Sequence, residues 1–173
     1  MELHLRPMVV SDAEPFASWA VDPVFRAHAG WAERSSIDES VAWWRALIAR
    51  PDPQLIRLTA VSGDDVVGYV DLHGEGEETR ELGFVTGPSG RWGQGWGALA
   101  ASAGLVYGFE TLGLRRIWAE AVEANTASVR ILQRLGRRNA GPGDEETFLG
   151  TPSNYARFDV SREDWAERRE QEA

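Results

Sequence analysis

Gly93, Gly95 and Gly97 alternate within the segment from Pro88 to Ala100. Glycines spaced in this way at a helix start leave several backbone N–H groups pointing in one direction. With no Cβ present, nothing holds an anion away from them. The opening helix adds about half a positive charge at its N-terminus. The chemistry implied is binding of a phosphate or pyrophosphate. Arg91 brings a full positive charge to the mouth of the loop, in a chain whose net charge is −9. Gly93, Gly95 and Ala98 also satisfy the dinucleotide-binding pattern G-x-G-x-x-G/A, with Glu120 about where an acid would meet a ribose. Against that reading stand a long entry segment, Gly87 to Trp92, and too little chain after Glu120 to complete a doubly wound sheet. A structural glycine turn is the third reading.

Composition removes other chemistries. There is no cysteine, which excludes disulfides, thiolate nucleophiles, iron–sulfur clusters and cysteine zinc sites. His4, His28 and His73 lie far apart without metal-ligand spacing, so each reads as a surface or hydrogen-bonded residue and no metal is expected. All 18 basic residues are arginine, which removes the Walker lysine and any Schiff-base lysine. An acidic chain repels nucleic acid and anionic membranes and attracts cations. No apolar run approaches the roughly 18 residues of a membrane span, and a cytoplasmic protein is expected. At 173 residues the chain is read as a single domain, 1–173, with a charged terminal helix over about 161–173.

Several elements must position the glycine loop. Leu3 to Arg6 reads as a first strand ending at Pro7. Ser11 with Glu14, and Ser36 with Glu39, have the S-x-x-E spacing of capping boxes, predicting helices through Trp19 and through Ile48. Pro23 to Trp31 between them reads as irregular. Leu55–Val61, Val66–Leu72 and Arg80–Thr86 form three strands in a meander. A helix from about Gly95 to Thr111, a strand from Leu114 to Val122 and a helix from Asn125 to Leu135 follow, with Gly136 at C′. Strands near Glu146–Leu149 and Asn154–Val160 and a helix begun by Ser161 and Asp164 close the chain. The fold class is α/β of the α+β kind: one mixed, mostly antiparallel sheet flanked by helices.

The glycine loop after a meander strand, followed by Asn125-x-x-Ser128 and Leu135-Gly136, resembles the GNAT superfamily of N-acetyltransferases. Leu5-Arg6-Pro7, Val67-Gly68-Tyr69, Glu81 to Phe84 and the closing Tyr155 to Trp165 resemble the branch of ribosomal-protein N-terminal acetyltransferases. The resemblance covers nearly the whole chain. Three positions depart from the pattern. Trp92 stands where the loop usually opens with Arg or Gln, Arg137 replaces an aromatic, and Leu132 takes the place of a tyrosine general acid.

The resemblance implies acetyl-CoA as cosubstrate and direct transfer of its acetyl group to a primary amine. The acceptor would be a protein N-terminus or a small cationic amine, and a homodimer is possible. It also implies a strand pair splayed at a bulge, with pantetheine against Phe84 and Val85. The pyrophosphate would lie on Gly93, Gln94, Gly95, Trp96 and Gly97, with Arg91 and Trp92 also binding the cofactor. Asn125 and Ser128 would approach from the other side, and Arg130 would reach a phosphate. Glu81 is the candidate base and Ser128 the candidate partner of the leaving sulfur. The substrate would enter between the N-terminal helices and the region after Gly136, along Trp19, Trp31, Trp43 and Trp44, with Glu33 and Asp38. Two alternatives stand beside the enzyme: a non-catalytic acyl-CoA-binding module and a dinucleotide-binding protein.

Overall fold

The computed structural model describes residues 2–138 and 143–172, so Ala173 of the charged tail lies outside it. The strands are β1 (His4–Pro7), β2 (Leu55–Ser62), β3 (Asp65–His73), β4 (Thr79–Thr86), β5 (Arg116–Val122), β6 (Arg137–Arg138), β7 (Glu145–Phe148) and β8 (Thr151–Ser161). The helices are α1 (Ala13–Trp19), α2 (Pro23–Ala29), α3 (Ile37–Ala49), α4 (Trp96–Val106), α5 (Thr126–Leu135) and α6 (Arg162–Glu172). The sheet runs β1-β2-β3-β4-β5-β8-β6, with β7 paired to β8. β4 and β5 are parallel, and every other recorded pair is antiparallel. A doubly wound sheet would need a run of parallel strands, so the dinucleotide reading loses its scaffold.

Alternation along the strands builds two layers. Val70 and Leu72 of β3, Leu82 of β4, and Ile117, Ala119 and Ala121 of β5 pack with Ala100 and Leu105 of α4 and Leu132 of α5. On the opposite face Tyr69 and Val85 meet Phe16 and Trp19 of α1, Phe25 of α2 and Trp44 of α3. Trp19 and Trp44 are therefore core residues.

The pairing of β4 with β5 covers only residues 79–81 against 116–118. Beyond Glu81 the two strands part, leaving the β5-facing edge of β4 without a strand partner. The implied bulge is absent from the β3–β4 ladder, whose register runs unshifted from Gly68–Thr86 to His73–Glu81. The sheet irregularity lies instead between Ala60 and Val61.

Four local expectations are corrected. The first helix is not boxed by Ser11 and Glu14. Asp12 turns inward, accepts Val9 N–H (2.9 Å) and Thr59 Oγ1–H (2.7 Å), and pairs with Arg6 (2.6 Å). In the second box, Ser36 Oγ accepts Glu39 N–H as expected, whereas the Glu39 carboxylate reaches Ser35 N–H (2.8 Å) rather than Ser36. Residues 23–29 are helical, because Asp22 caps Val24 N–H (2.8 Å) and Pro23 occupies the first turn. Gly136 is extended (φ −144°), not left-handed. It is glycine because a Cβ there would lie 2.7 Å from the Asp159 carbonyl oxygen. Gly136→Ala must push β8 away and is expected to cost about 2 kcal/mol in urea unfolding, in the usual range for overpacking.

Candidate active site

The loop between β4 and α4 presents backbone donors. Gly93 (φ +79°) and Gly95 (φ +93°) hold the left-handed conformations that turn the chain into the helix. The first N–H after them to find a backbone acceptor is that of Leu99, which donates to Gly95 O (3.1 Å). Those of residues 93–98 have no backbone partner among the described residues. The Trp96 indole N–H is also buried without a partner. Convergent orphan donors at a helix N-terminus fit a pyrophosphate.

Two cavities meet where β4 leaves β5. One, of about 470 Å3, runs over the glycine loop and along α5. Its charged lining is Arg91, Arg130 and Arg134, with no carboxylate. The other, of about 480 Å3, lies on the opposite side of the β4 edge. It is lined by the carboxylates Asp71, Glu120 and Glu146, with no arginine. Phe84, Val85, Asn125 and Ser128 border both. Asn125 Oδ1 caps α5 by accepting Ser128 N–H (3.3 Å), which leaves the Ser128 hydroxyl available.

Around the acidic cavity, Arg57 binds Asp71 through two hydrogen bonds (2.6 and 2.5 Å). Arg157 holds Glu120 (3.0 Å) and crosses the Trp118 ring at 4.2 Å. The Tyr155 hydroxyl donates to Glu146 (3.3 Å). Burial and the Glu146 carboxylate push the Tyr155 phenol above its ordinary pKa. Glu81 shares this face of the sheet, beside His73 (4.0 Å). Burial and then the like charge of Glu120 raise its pKa, against weaker lowering by His73 and Arg157.

A family model described as an acetyltransferase (GNAT) domain matches residues 2–138. The chain belongs to the GNAT acetyltransferase family. The uncharacterized N-acetyltransferase YoaA of Bacillus subtilis is 30% identical over 145 residues, covering 80% of this GNAT chain and 81% of that protein. YnaD of the same organism, also named an uncharacterized N-acetyltransferase, is 34% identical over 79 residues, 45% of this chain and 46% of its own. Among solved structures, spermidine N-acetyltransferase from Vibrio cholerae, in complex with CoA and spermine, superposes with a TM-score of 0.78. It is 18% identical, with 95% of this chain and 98% of that one covered.

In this GNAT chain the residues expected at the site fall into three groups. Phe84, Val85, Arg91, Trp92, Gly93, Gly95, Trp96, Gly97, Asn125, Ser128 and Arg130 all line the basic cavity. Gln94 does not, and Glu81 lines neither cavity. Arg91 also pairs with Asp65 (3.5 Å). Trp19, Trp31, Trp43 and Trp44, expected along a substrate groove, line neither cavity, nor do Glu33 and Asp38. Trp31 donates to the Tyr69 hydroxyl (3.3 Å), and Trp43 is exposed beneath Arg34. Residues of α2 and β7 take their place, with His28 against Phe148 at 5.1 Å. The sequence pattern does not mark Arg134, His28, Glu146 or Tyr155 as site residues. Arg134 alone had a readable signal, its i,i+4 spacing from Arg130.

Proposed function

We propose that this GNAT acetyltransferase moves the acetyl group of acetyl-CoA directly to a primary amine on a cationic acceptor. The observation that carries the reading is the opposite charge of two cavities joined at the open edge of β4. The arginine-lined cavity suits the CoA phosphates, with the pyrophosphate on the donors of residues 93–98 and Arg91, Arg130 and Arg134 around it. The unpaired edge of β4 at Phe84 and Val85 takes the pantetheine amides as an added strand. The carboxylate-lined cavity takes the amine.

A primary amine is an ammonium at neutral pH, with a pKa of about 10, and must lose a proton before it attacks. Glu81 is the base in this proposal. It does not line the cavity, so the proton reaches it through water or Glu120, and its raised pKa makes its carboxylate a stronger proton acceptor than an ordinary glutamate. Ser128 donates a hydrogen bond to the leaving sulfur. Both a protein N-terminus, as the ribosomal-protein branch implies, and a polyamine such as spermine carry the required cationic amine.

Thermal unfolding with acetyl-CoA, CoA, NAD and FAD, each alone, tests the binding half. Acetyl-CoA at a hundred times its Kd is expected to stabilise the fold by about 2.7 kcal/mol, roughly 5–10 °C for a chain of this size. Thiol release is then followed with spermine, a short peptide with a free N-terminus and an aminoglycoside. No shift with millimolar acetyl-CoA sinks the reading. A shift without thiol release on any of the three amines favours an acyl-CoA-binding module instead.

A further inference from the structure

His28 occupies a position that the proposed roles leave unused. It borders both cavities, together with Ala29, Phe84, Val85, Asn125 and Ser128. Among these six, His28 alone carries an imidazole, whose ring nitrogens can accept a proton at one site and hand it on. Its orientation is fixed from three sides. The ring lies 4.9 Å from Trp92 of the glycine loop and 5.1 Å from Phe148 of β7. Its Nδ1 is 2.9 Å from the Val24 carbonyl oxygen. A carbonyl only accepts, so Nδ1 carries the hydrogen and the neutral ring keeps its lone pair on Nε2. Nε2 has no hydrogen-bond partner among the described residues.

We propose that His28 is a catalytic residue that carries a proton from the acceptor nitrogen to the departing sulfur. The inference rests on the acetyl-CoA reading above. An ammonium acceptor has two protons to lose. The first leaves to the carboxylate side and on to solvent, freeing the lone pair that attacks the thioester carbonyl. As the C–N bond forms and the C–S bond breaks, the nitrogen yields its second proton to Nε2. The resulting imidazolium returns that proton to the thiolate. The products are the amide and CoA thiol, with His28 neutral again. A group bordering both the amine and thioester cavities is placed for both halves of this transfer. Leu132, where the family pattern has tyrosine, has no proton to give.

The test uses protein labelled with 15N in its histidine rings and glycine amides, titrated with CoA. His28→Gln assigns the His28 signal among the three histidines. The expected result is a neutral ring protonated at Nδ1 whose Nε2 signal moves on CoA binding, together with the Gly93 and Gly95 amides, while His4 and His73 stay still. Loop amides that move while His28 does not would overturn this inference and spare the acetyl-CoA reading. No movement anywhere would remove both. His28→Phe keeps an aromatic ring between Trp92 and Phe148 and removes the proton site. Its kcat, on whichever of the three amines wild type acetylates, is expected to fall by about 100-fold or more, with the CoA Kd little changed. A kcat within twofold of wild type would equally overturn the inference.

Discussion

Ala98→Asp is expected to abolish acetyl-CoA binding in the micromolar range while leaving the protein as stable as before. Ala98 is in the first turn of α4 and lines the arginine-rich cavity. An aspartate in the first turn of a helix is favourable, because it meets the positive end of the dipole and accepts from orphan N–H groups. Those are the same donors that the proposed function gives to the pyrophosphate. The new carboxylate would occupy them and repel the incoming anion. Kd should weaken at least about 100-fold, about 2.8 kcal/mol by the tenfold-per-1.4 relation, and the loss should shrink as salt is raised. Ala98→Ser, which adds an oxygen without a charge, should change Kd only a few-fold. Calorimetric titration beside a melting curve separates the two effects. Wild-type affinity in Ala98→Asp would mean that the pyrophosphate lies elsewhere.

The glycine loop was readable in the sequence because its requirement is local. Positive φ at Gly93 and Gly95 and free donors at a helix start depend on neighbours in the chain. The strands were readable for a related reason, since alternation fixes which residues face the helices. The substrate side was not. The eight tryptophans in the chain include Trp19, Trp43 and Trp44 within helical segments, and an aromatic there looks the same whether it packs a core or lines a groove. Only the placement of α1 and α3 over Tyr69 and Val85 makes Trp19 and Trp44 core residues. Gly136 shows the same limit. A glycine after a helix satisfies both a left-handed cap and a close approach, and the distinction lies in β8, more than twenty residues away.

Helix α2 is seven residues long, too short for its apolar period to register against the signals of a loop. With it went His28, whose significance comes from two cavities and from contacts to Trp92 and Phe148, distant in sequence. In the sequence, Glu120 reads as the ribose-binding acid of a dinucleotide site. The alternation of β5 instead puts it on the face away from α4, paired with Arg157 and beside the acidic cavity. Residue type was legible there, and its role depended on which face of the sheet it occupies.

Glu81→Gln is expected to make the protein more stable at pH 8 and much slower. The folded-state pKa of Glu81 is raised, chiefly by burial and then by Glu120. A carboxyl with a raised folded pKa is easier to ionise in the unfolded chain. Its favourable contribution is therefore complete below the ordinary carboxylate range, about pH 4, and is lost as pH rises through the folded value. Glutamine never ionises, so the variant should melt at the wild-type temperature at pH 4 and at a measurably higher temperature at pH 8. The effect stays small because the side chain is partly exposed and solvent screens it. Activity should move the other way, with kcat down about 100-fold if Glu81 removes the first proton of the ammonium. Acetyl-CoA affinity should stay close to wild type, because the residue lies on the acceptor side. The same stabilisation with undiminished kcat would leave Glu81 a strained carboxylate on the sheet and pass the base to Glu120. Because the Glu120 charge helps to raise the Glu81 pKa, Glu120→Gln is the matching variant and should bring that pKa down.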